Sequence, residues 1–158
     1  MQTYHVGLLA LAIFSLLGLL AFGSWRSRVK RQERSIQRPQ SIIGDGSGIT
    51  AFYVATTFGG RPLDRVVAHG LAHRGRAMVL VSTFGVSVYR LGESSFMIPS
   101  ADIVRVRLSN AVIDRVVEKE GLVSIEWNLG DTAVDTHLRF VTSSERMTAL
   151  AQLEELVA

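Results

Sequence analysis

Three groupings of residues in this 158-residue chain have the types and spacing that could do chemistry. His69 and His73 stand four apart, which suits two metal ligands on one helical face. Gly70, Gly75 and the basic neighbours Arg74 and Arg76 argue against a helix there, and no carboxylate lies beside the pair, so no metal site is expected. Glu126 and Asp135 fall on facing positions of two alternating segments, and opposed carboxylates could divide acid and base roles. His137 and Arg139 share that face and neutralise them, so a solvated, structural pair is the simpler expectation. The run Gly44-Asp45-Gly46-Ser47-Gly48 invites comparison with a phosphate loop, but no strand precedes it and no Lys-Ser/Thr follows. No serine occupies a Gly-x-Ser-x-Gly elbow. The chain has no cysteine, which removes disulfides, thiol catalysis and cysteine metal ligands. The expectation is therefore a non-enzyme with no catalytic residue, no metal and no cofactor.

Charge is the remaining candidate chemistry. The chain carries 17 basic and 14 acidic side chains, a net +3. Residues 24–43 hold Arg26, Arg28, Lys30, Arg31, Arg34 and Arg38 against Glu33, a local +5 that leaves −2 for everything else. A nucleic-acid-binding domain would carry the basic surface itself, so no nucleic-acid partner is expected. Within the remainder, residues 61–107 net +4 and residues 108–158 net −5. Arg61, Arg65, Arg74 and Arg76 are the candidates for contact with lipid headgroups or a protein partner. Arg90, Arg105 and Arg107 complete the basic half, which is expected to turn toward an anionic membrane.

The element that must position these groups comes first in the chain. Val6 to Trp25 are twenty residues without a charge. As a helix they span about 30 Å, the thickness of the hydrocarbon core. Trp25 stands where an amphipathic ring prefers the headgroup level, and the six basic residues follow it. A cleaved signal peptide carries its charge in front of the apolar run, and this one does not, although Ala21-Phe22-Gly23 would pass as a cleavage site. The positive-inside rule places the N-terminus outside and the rest in the cytoplasm. The expected localisation is a single pass through the inner membrane. Residues 1–25 are thus read as the anchor, with its helix over about 6–25. Residues 26–48 are read as a basic juxtamembrane segment and flexible linker, and 49–158 as a cytoplasmic domain.

That domain reads as mainly β. Ile49–Phe58 is rich in aromatic and β-branched residues and stops at Gly59-Gly60. Arg65–His73 is an interrupted strand, and Ala77–Ser82 is near-continuously apolar. Val86, Val88 and Leu91 alternate with Ser87 and Arg90, then come Phe96–Ile98 and Ile103–Leu108. Asn110–Lys119 suits helix and strand equally. Val123, Ile125, Trp127 and Leu129 share one face, Gly130-Asp131 turns the chain, and Val134, Leu138 and Phe140 return opposite them. Thr142-Ser143-Ser144-Glu145 fits a capping box, followed by Met147, Leu150, Leu153 and Val157 at helical spacing.

About seven antiparallel strands and one C-terminal helix is the element order of a pleckstrin-homology (PH)-like barrel, in which two orthogonal sheets are capped by the helix. The chain resembles bacterial PH-like domains through Val79–Thr83, Val86–Arg90 and Phe96–Ile103, the last containing Ile98-Pro99 and Ile103. It is also similar to actinobacterial single-pass membrane proteins with such a domain, which carry export- or transporter-like labels. Ile113–Glu118, Gly121-Leu122, Trp127 to Gly130 and Asp135 to Arg139 carry that likeness. The resemblance implies a membrane-tethered binding or scaffolding module facing an anionic lipid surface and a protein partner. Its alternatives are an accessory subunit of an export or transport complex and, more distantly, a signal-cleaved soluble enzyme. A homo-oligomer is compatible with the single span.

Overall fold

The computed structural model describes residues 2–42, 47–109 and 121–157. The glycine run through Gly46, the ambiguous segment Asn110–Lys119 and the likeness at Ile113–Glu118 lie outside the described residues.

Helix α1 runs from Gln2 to Ser35. It is one continuous helix of 34 residues, ten longer at its C-terminal end than the apolar run. The expectation of a flexible linker directly after Trp25 is corrected here. Arg, Lys, Gln and Glu are nearly as good helix formers as Leu, so the charge after Trp25 does not stop the helix. The helix ends at Ser35, four residues ahead of Pro39, whose ring would clash with the Ser35 carbonyl in a continued helix.

Nine strands follow among the described residues, all paired antiparallel: β1 (Gln40–Ser41), β2 (Ile49–Phe58), β3 (Arg61–Arg65), β4 (Gly75–Ser82), β5 (Gly85–Arg90), β6 (Phe96–Pro99), β7 (Ile103–Ser109), β8 (Leu122–Leu129) and β9 (Thr132–Phe140). Helix α2 (Ser143–Val157) closes the chain. The order across the sheet is β1-β6-β5-β4-β2-β9-β8-β7, with β3 also beside β2. Strand β2 joins the two halves. Its first five residues pair with β4, its end pairs with β3, and β9 runs along its other edge with a register shift between Tyr53 and Ala55. The mainly-β domain with a helix at its end is the architecture expected.

The core lies between the halves. Tyr53, Val79, Val86, Phe96, Ile98, Ile125, Trp127 and Leu138 are buried there, and Leu153 of α2 joins them. The last hairpin has the expected register, Trp127 opposite Val134 and Val123 opposite Leu138. The capping box is also present: Thr142 Oγ1 accepts from the Glu145 N–H at 3.1 Å, and Glu145 Oε2 accepts from the Thr142 N–H at 3.0 Å. On α2, however, Ala149, Leu150 and Leu153 face inward while Met147 is 54% exposed.

Arg65–His73 is not a strand beyond Arg65. His69 and Gly70 adopt φ of +55° and +72° in a short 3₁₀ turn, which ends extended pairing. The segment instead drops Val66, Ala68 and Leu71 into the core.

Candidate functional site

The end of α1 is docked on the domain by a ladder of three contacts. Arg28 Nη2 donates to Asp64 Oδ1 at 2.8 Å. One turn on, Gln32 Oε1 accepts from the Val67 N–H at 2.8 Å. One further turn on, the Ile36 carbonyl lies 2.9 Å from His69 Nε2. A carbonyl can only accept, so Nε2 carries the proton, while the buried Nδ1 has no hydrogen-bond partner among the described residues. Ile36 itself is buried in the domain core. A few residues later β1 pairs with β6, Gln40 opposite Met97 and Ser41 opposite Phe96. Little in the composition of residues 26–41 signals this docking, because Val29 and Ile36 are its only aliphatic residues apart from Pro39.

Arg90 fixes the same junction from below. It is 7% exposed, with its guanidinium over the rings of Tyr53 at 4.8 Å and Phe96 at 5.3 Å. It donates to the carbonyls of Ser94 and Gly70. Burial holds its pKa below the ordinary arginine value. Arg90 is therefore not part of a basic surface. Val86 and Val88 are buried on the same face, so strict alternation was the signal that would have found it. A cleft of about 270 Å³ lies beside this junction, lined in part by Glu33, Arg38, His69, Arg90 and Glu93. His73 Nδ1 sits 3.0 Å from Glu93 Oε1, apart from the His69 latch. Among the described residues no three His, Asp or Glu side chains converge as a metal site would need.

The basic juxtamembrane residues divide by helical face. Arg28 reaches Asp64, whereas Arg26, Lys30, Arg31 and Arg34 line one shallow depression along α1. Arg38 lies beyond the helix. Trp25 is 51% exposed and its ring packs 6.2 Å from that of Phe22.

The four arginines expected to act together are split between two places. Arg61 and Arg65 lie on β3: Arg61 sits 5.0 Å from the Phe58 ring and 3.5 Å from Asp64, and Arg65 donates to the Ala72 carbonyl. Arg74 precedes β4, and Arg76 lies on it directly beside Phe52 of β2. On the other edge of β2, Phe52 is opposite Arg139, whose guanidinium stands 5.3 Å from the ring centroid. Arg76, Phe52 and Arg139 thus lie abreast on the outer face, with Phe52 37% exposed. Beside them a groove of about 420 Å³ is lined by Thr50, Arg76, Met78, Tyr89 and Leu91. Arg139 belongs to the acidic half of the sequence, so residue order alone did not pair it with Arg76.

Arg105 and Arg107 do not join either group. Arg105 lies 2.9 Å from Glu126 and Arg107 3.4 Å from Asp135. The basic half is therefore not one uniform surface, because β7 pairs with β8 and Arg107 reaches Asp135 of β9 beyond it, which intersperses the charges.

Glu126 and Asp135 are opposite each other as expected. Asp135 is not solvated, however: it is 1% exposed and burial raises its pKa. His137 Nδ1 lies 2.7 Å from Ser124 Oγ, and its Nε2 lies 3.0 Å from Thr57 Oγ1. Ser124 donates to Ser109 at 2.9 Å. That direction makes Ser124 an acceptor from His137, so Nδ1 carries the proton and Thr57 donates to Nε2. A serine hydroxyl that receives the histidine proton is not activated by it, and Ser124 is fully buried. The group is a closed hydrogen-bond chain. Burial depresses the His137 pKa to about 4, and Arg107 adds to the effect.

A family model described as bacterial PH domain-like matches residues 35–154. The match begins at the docked end of α1 and takes in Ile36 and β1. Comparison with curated proteins found no match.

Proposed function

The chain belongs to the bacterial PH domain-like family, and on that footing we propose that it is a non-catalytic binding module held at the cytoplasmic face of the inner membrane by α1. A PH-like domain supports a binding role in general. The observation that carries the tethered reading is the ladder from Arg28 to Ile36. It joins a helix long and apolar enough to cross a bilayer to the domain without a hinge. The apolar part of that helix is covered by nothing in the domain, which a core helix could not sustain in water.

A docked helix also fixes how far the basic residues stand from the leaflet. Arg34 is nine residues past Trp25, about 13 Å along the axis. An anionic leaflet's field decays over about 8 Å at physiological salt. Counted from headgroups that lie about 5–8 Å beyond a hydrocarbon edge at Trp25, the basic residues of α1 from Arg26 through Arg34 are all within its reach.

The partner surface is the outer face of β4, β2 and β9. Phe52 between two guanidiniums, next to an apolar groove, suits a protein segment that combines acidic and apolar side chains. The test is site-specific photocrosslinking from position 52 in membranes of cells expressing the full chain. A discrete adduct that disappears in Arg76→Glu is expected, and no adduct from position 84, a fully exposed turn. Adducts of equal yield from both positions would count against this surface. An adduct to a multi-span transporter would identify the module as an accessory subunit of a transport complex.

A further inference from the structure

The ladder has a direction. Asp64, Val67 and His69 meet Arg28, Gln32 and Ile36 in that order. The segment 64–69 therefore runs alongside α1 away from Trp25, rising about 12 Å over eight helical residues. Its low end is the β2–β3 turn, with Gly60 at φ +68° and Arg61 to Asp64 beyond it. Arg28 is three residues past Trp25, about 4.5 Å along the axis. The headgroup layer on each side of the hydrocarbon is about 5–8 Å thick. If Trp25 marks the edge of the hydrocarbon, the Asp64 carboxylate lies in that layer.

The hairpin is chemically built for the layer. Leu63 is 78% exposed, among the most exposed large apolar side chains in the domain. The one acidic group beside it, Asp64, lies within 2.8 Å of Arg28 and 3.5 Å of Arg61, so two guanidiniums offset its repulsion from an anionic leaflet. Those two cations are thereby occupied, which disfavours a headgroup pocket. We infer that the β2–β3 hairpin is a second membrane contact, with Leu63 of β3 entering the interfacial zone of the leaflet from which α1 emerges. This inference rests on α1 spanning the bilayer. The anchor supplies the affinity, and the contact sets the orientation: with the low end of segment 64–69 in the leaflet, tilt of the body relative to the membrane normal is restricted.

The absence of native cysteine makes the test direct. Single cysteines at positions 14, 62 and 84 of the full chain are labelled with an environment-sensitive fluorophore and reconstituted in vesicles of phosphatidylethanolamine and phosphatidylglycerol. Nitroxide-labelled lipids then report depth. Position 14 lies within the apolar run, 62 neighbours Leu63, and 84 lies at the β4–β5 turn, beyond the opposite end of β2. Deep nitroxide should quench position 14, shallow nitroxide should quench position 62, and neither should quench position 84. Quenching at 62 should be lost in a Leu63→Asp background. Quenching at 14 without quenching at 62, or at 62 regardless of Leu63→Asp, would overturn the inference and leave the anchor standing. No quenching at 14 would overturn the anchor and this inference together.

Discussion

Arg28, three residues past the end of the uncharged run, donates to Asp64 at 2.8 Å across 36 residues of sequence. With Gln32 to Val67 and Ile36 to His69 above it, that pair makes α1 and the PH-like domain a single body.

The first consequence concerns where the domain begins. A fragment of residues 35–158 should unfold cooperatively. A fragment of residues 49–158 lacks Ile36 and leaves Phe96 without its β1 partner. Ile36→Ala in the longer fragment should cost about 2–5 kcal/mol. Urea titration followed by tryptophan fluorescence measures both. Equal stability of the two fragments would show that the docked residues add nothing.

Helix α2 offers a graded comparison. Leu153 is fully buried, so Leu153→Ala should cost about 2–5 kcal/mol. Met147 is mostly exposed, so Met147→Ala should fall within about 0.5 kcal/mol of the parent. Thr142→Ala removes the cap and should cost about 1 kcal/mol.

His137 should make stability fall as pH falls. Its pKa drops from 6.5 to about 4 on folding, so above the unfolded value both states are neutral and nothing is lost. Below it the unfolded chain takes up a proton that the folded chain resists, and stability declines until the pH passes about 4. The slope for one proton is at most about 1.4 kcal/mol per pH unit. Asp135 opposes this, since its raised pKa loses stability as pH rises, and Arg107 and Glu126 stand beside the pair. Replacing His137 with Gln isolates the effect: the decline between pH 6.5 and about 4 should flatten in urea titrations at stepped pH, even if the variant is less stable throughout.

Legibility in the sequence followed how local each signal was. The β8–β9 hairpin could be read to the residue, because alternation and a two-residue turn leave one register. The α2 cap could be read because all its groups lie within four residues. On α2, Leu150 and Leu153 are buried as read, whereas Met147 and Val157 are exposed, because Ala149 is too small to mark the buried side that it occupies. The helix over 26–35 was missed because its polar composition was read as a linker although its residues are good helix formers, and its docking on Asp64 and Val67 has no local signal. The Arg76, Phe52 and Arg139 row was invisible for the same reason: β2 brings together residues more than sixty apart.

Topology decides most directly whether this is a module tethered at the inner face of a membrane. Single cysteines replace Gln2 and Ser47, one at each side of the apolar run, and intact cells are treated with an impermeant maleimide. Position 2 should be labelled at once, and position 47 only after the membrane is permeabilised. Labelling of position 47 in intact cells would contradict a cytoplasmic domain.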